Sequence, residues 1–66
     1  MSTEFFKTLK EAESFAAGFN PKHVLAEVYS LDKPGTVKQF RQERDAAIAW
    51  ERREADGARA VVAIFR

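Results

Sequence analysis

The sequence predicts a two-layer α+β domain in which a strand–helix–strand unit occurs twice. One observation is an internal pattern: Phe6-Lys7-Thr8-Leu9-Lys10-Glu11-Ala12 recurs in residue class as Phe40-Arg41-Gln42-Glu43-Arg44-Asp45-Ala46. Ten positions beyond each leading aromatic stand Ala16 and Trp50. A second is that each unit ends in a short apolar run with β-branched residues, at 24–29 and 60–65, the composition of a strand. The third is the turn chemistry of Asp32-Lys33-Pro34-Gly35, which separates the units.

Phe5 and Phe6 lie in the first strand. The first helix follows, with Thr8 and Glu11 spaced as a capping box that satisfies two backbone N–H groups reciprocally. Leu9, Ala12, Ala16 and Phe19, with Phe15 alongside, form one apolar stripe at helical spacing. Gly18 is read as a left-handed stop, and Pro21 forbids continuation. The second strand starts at Val24. Residues 36–41 read as a third strand by analogy with the first unit. Thr36-Val37-Lys38-Gln39 reads equally as a capping box opening one long helix over 37–56. Otherwise the second helix spans 43–56, with acids at its start, Arg52 and Arg53 in its C-terminal half, and Gly57 closing it. The last strand is 60–65.

This order is the ferredoxin-like βαββαβ sandwich, an antiparallel sheet with both helices on one face. The alternative is a three-stranded sheet with one short and one long helix. Side chains alternate between the faces of a strand. Phe6, Val24, Ala26, Val28, Ala60, Val62 and Ile64 then face the helices. Phe5, Leu25, Tyr29, Leu31, Val61 and Phe65 collect on the other face, with Glu27 and Ala63. An open face that apolar is expected to be an interface, for a protein partner or a second copy. Ala46, Ala49 and Trp50 are expected in the core, opposite the sheet. Arg44, Ile48 and Arg52 offer a secondary contact surface.

The 66 residues make one domain, 1–66. A chain this short buries only about 60% of its unfolded surface, so it gains much from a staple or an oligomer. There is no cysteine, which removes disulfides and thiolate metal sites, and the single histidine builds no zinc site. No metal or cofactor is expected. No run approaches the ~18 apolar residues of a membrane span, and no secretory leader is evident. The expected location is the cytoplasm, away from membranes.

Catalytic chemistry is missing from the pattern. The three glycines are isolated, so there is no phosphate loop. His23 is the sole candidate base and reads as a surface residue at a strand entrance. Glu11 with Glu13, and Glu51 with Glu54, read as solvated helix faces. The chain is therefore expected not to be an enzyme.

Nucleic-acid binding is the rival reading. The net charge is +1, and every arginine lies after position 40, interleaved with Glu43, Asp45, Glu51, Glu54 and Asp56. Lys38, Arg41, Arg44, Arg52 and Arg53 would contact phosphates, and Phe5 and Phe40 would stack bases. Residues 36–41 lack the aromatic signature of the RNA-binding members of this topology.

No stretch carries a family motif. In its size, its start at Met1 and its lack of catalytic residues, the chain resembles the very small α/β proteins of bacteriophages and mobile elements. That resemblance implies an inhibitor that occludes the surface of a host enzyme or defence complex, CRISPR interference machinery among them. It assigns no residue.

Overall fold

The computed structural model describes residues 2–33, 35–36, 50, 52 and 57–66. In chain order they form β1 (Ser2–Phe6), α1 (Leu9–Ala17), β2 (Leu25–Ser30) and β3 (Ala60–Phe65). The fold is α+β, with a three-stranded antiparallel sheet in the order β1-β3-β2 and one helix among the described residues.

The helix starts where its cap requires. Thr8 has extended backbone, and its hydroxyl accepts the Glu11 amide at 3.2 Å. The reciprocal half of the expected box differs: the Thr8 hydroxyl donates to the Glu11 carboxylate at 3.0 Å. The ending corrects the expectation for Gly18. Its φ of −76° is right-handed, not left-handed. The helix instead tightens its last turn, with Gly18 N–H donating to Phe15 C=O and Phe19 N–H to Ala16 C=O, both 3.2 Å. Asn20 then reverses the chain. Its side-chain oxygen accepts the Lys22 amide, and its carbonyl accepts the His23 and Val24 amides, each at 3.0 Å.

The last strand takes the middle of the sheet. Phe6 lies opposite Ala60 and Ser2 opposite Ile64, while Ser30 lies opposite Ala60 and Leu25 opposite Phe65. In the ferredoxin-like order the last strand lies at an edge beside β1. Here it separates β1 from β2, which corrects that expectation. The physical reason is in β3 itself. Its first five residues are all apolar and all buried, so both of its faces need cover. Of residues 36–41, only Thr36 is described, and its backbone is helical; the expected third strand otherwise lies outside the described residues.

Two apolar clusters flank the sheet. On one face Ala12 of α1 packs with Ala60, Val62 and Ile64, joined by Phe6, Phe15, Ala16, Phe19, Val24, Ala26 and Val28. This is the helix-side set that alternation predicts, with one exception: Leu9 is exposed. The Phe15 ring links Phe6 and Phe19 at centroid distances of 5.1 and 5.2 Å. Such pairs contribute about 0.5–1.5 kcal/mol each beyond area burial. On the other face Leu31, Trp50, Val61 and Ala63 are buried together, with Phe5, Tyr29 and Ala58 against them. Trp50 thus lies across the sheet from α1, not beside it as the repeat suggests.

Candidate functional site

Strand register arranges the face opposite α1 in rows. Phe5, Val61 and Tyr29 form one row across the three strands. Thr3, Ala63 and Glu27 form the next. Phe65 and Leu25 form the last. Alternation therefore brings the expected residues to one face, as the sequence indicates.

That face is not open along its whole length. Val61 is fully buried, Leu31 is buried, and Trp50, itself only 6% exposed, belongs to the same cluster. This corrects the expectation that Leu31 and Val61 present surface to a partner. Phe5 and Tyr29 are half-buried against the cluster. The Tyr29 hydroxyl donates to the Glu27 carboxylate, its neighbour on the same face. The last row remains exposed, Leu25 at 55% and Phe65 at 38%. The apolar surface expected for an interface is thus concentrated at one end of the sheet.

At the opposite end the ladder is extended by Arg59. Its N–H donates to Phe6 C=O and its C=O accepts from Leu31 N–H, both at 2.9 Å, so one residue ties together both outer strands. Its guanidinium meets Asp32 at 3.3 Å, with both side chains mostly exposed. An ion pair so hydrated contributes at most about 1 kcal/mol.

Of the secondary contact residues, Arg52 is described and exposed, while Arg44 and Ile48 lie outside the described residues. So do Lys38, Phe40, Arg41 and Arg53 of the nucleic-acid reading. His23 is exposed, and among the described residues no His, Cys, Asp and Glu side chains cluster in a way that could hold a metal ion. No described helix is long and apolar enough to cross a membrane.

Sequence reasoning missed that Trp50 covers this face. The signal was present in the unbroken apolar run 60–64, which cannot leave one sheet face in water. The Trp50 indole Nε1 is buried with no hydrogen-bond partner among the described residues. A buried N–H left without any partner would cost about 1–3 kcal/mol.

No protein-family model, curated protein or solved structure matches the chain.

Proposed function

We propose that this chain is a non-catalytic protein-binding domain that acts by occluding a surface. The observation that carries this reading is the Leu25–Phe65 row, the apolar end of an otherwise covered sheet face. A pair of large apolar side chains on adjacent strands presents a rigid ledge, because the ladder beneath it fixes both backbones. Inhibition of a host enzyme or defence complex is the form such occlusion would take. Of the two fold readings, the proposal takes the three-stranded one with a short and a long helix. Central β3 and the helical backbone at Thr36, Trp50 and Arg52 support it.

The test is affinity capture from bacterial lysate with tagged wild type, Leu25→Glu and Phe65→Glu, each with and without nuclease. A protein held by wild type and lost by both variants is the expected result. Equal retention by all three removes the ledge as the contact. Retention that disappears with nuclease replaces this reading with a nucleic-acid one.

A further inference from the structure

The outer edge of β2 carries a second kind of surface, made of backbone. Leu31 N–H bonds to Arg59 C=O in the same register that places Leu25 opposite Phe65. In an antiparallel ladder the hydrogen-bonding direction alternates residue by residue. Leu25, Glu27 and Tyr29 therefore turn their N–H and C=O groups toward β3, while Ala26, Val28 and Ser30 turn theirs away from the sheet. Among the described residues the one bond that takes any of these outward groups is Lys33 N–H to Ser30 C=O, at 3.4 Å.

Edge strands that stay monomeric are protected by proline, lysine, bulges or short length. Leu25–Ser30 contains no proline, lysine or glycine, pairs in unbroken register with β3, and is six residues long. It begins at Leu25, which is more than half exposed.

We propose that β2 pairs antiparallel with β2 of a second copy, about a two-fold axis through Val28, joining two three-stranded sheets into one. Self-pairing of one edge closes on itself, whereas pairing β2 with the β1 edge of another copy would propagate into an open fibre. Outward groups must meet outward groups, which restricts the registers. An axis through Glu27 sets two carboxylates opposite each other, which is destabilising. An axis through Ala26 pushes the pairing into Val24, whose N–H is already taken by Asn20. An axis through Tyr29 sets Glu27 against Leu31 and shortens the usable ladder. With the axis through Val28, its N–H and C=O meet their own counterparts, and Ala26 meets Ser30, whose carbonyl keeps a second lone pair beside its 3.4 Å bond from Lys33 N–H. Each Glu27 then faces a Tyr29, the donor it already accepts from within its own chain. Leu25, the most exposed large apolar residue described, then stands in the seam between the two sheets. A domain of 66 residues without disulfides is also of the size that gains most from association.

This dimer extends the protein-binding reading to a definite partner and surface, and rests on the same exposed row. The experiment is sedimentation equilibrium and amide exchange by NMR on the wild-type chain, from about 10 µM to 1 mM, where a weak dimer crosses over. The expected result is a monomer–dimer equilibrium. The Ala26 and Val28 amides should slow at least about tenfold at the high end, while Glu27 and Tyr29, bonded within the sheet, stay slow throughout. Leu25→Glu should raise the dissociation constant by about tenfold or more, by placing a carboxylate in the seam. A monomer across the whole range overturns the dimer, and so does a dimer in which the Ala26 and Val28 amides exchange as fast as in the monomer. Neither result touches the capture of a foreign protein by the Leu25–Phe65 ledge, which the capture experiment reads separately.

Discussion

Leu25 and Phe65 lie directly opposite each other across the β2–β3 ladder, and both are exposed. The neighbouring positions on β3, Val61 and Ala63, are fully buried on the same face. One strand therefore passes from a closed core to an exposed row within a few residues. Substitutions in that row should leave folding intact. Leu25→Glu should change the unfolding free energy by no more than about 0.5 kcal/mol, because it removes few packed contacts. Chemical denaturation followed by circular dichroism checks this; a loss above about 2 kcal/mol would show that Leu25 is part of the core.

Trp50 should behave oppositely. Trp50→Ala is expected to cost about 3–5 kcal/mol, since it uncovers Leu31, Val61 and Ala63. For a chain of this size that approaches the whole of its stability. Trp50→Phe keeps most of the apolar area and deletes the buried indole N–H, which has no partner among the described residues. It should therefore cost less than half as much as the alanine change. Equal losses in the two variants would mean that the indole N–H is satisfied in solution.

Ala12 tests the other face. It is fully buried between α1 and the sheet, beside Ala60 and Val62. Ala12→Leu should destabilise by about 1–3 kcal/mol through overpacking, even though it adds apolar surface. Unchanged or higher thermal stability would show a gap between helix and sheet.

The Thr8 cap is the simplest local test. Thr8→Ala removes the acceptor for the Glu11 amide and should cost about 0.5–2 kcal/mol. Thr8→Ser keeps the hydroxyl and should recover most of that loss. If alanine and serine unfold at the same temperature, the cap contributes nothing to α1.

Gly57 has a φ of +77° with open space where a Cβ would stand. Gly57→Ala should therefore cost about 1–2 kcal/mol from backbone strain alone, without a clash. Thermal unfolding checks it, and a neutral result would place Gly57 in ordinary backbone space.

Much of this architecture was legible in the residues because it depends on local rules. The capping spacing of Thr8 and Glu11 marked the start of α1. The two-residue alternation of β2 and β3 sorted Val62 and Ile64 from Val61 and Ala63 correctly, because the pleat leaves no choice once the register is set. The end of α1 was misread at Gly18, where a tightened last turn does the work assigned to left-handed backbone. Leu9 was misread as well, since helical spacing places a residue on a stripe but says nothing about how far the sheet extends beneath it.

Strand order and cover were beyond local rules. The likeness of the units at Phe6 and Phe40 suggests two helices on one face, yet Trp50 packs on the face opposite Ala12. The sequence by itself determined the α+β class, the apolar make-up of β3 and which of its side chains share a face, because propensity and alternation act between near neighbours. Only the tertiary structure decided that β3 lies between β1 and β2, that Trp50 buries Val61 and Leu31, and that Leu25 and Phe65 are left exposed. The reason is competition for cover: a strand apolar on both faces gains most at the centre of the sheet. Which side chains then remain in water depends on segments far apart in the chain.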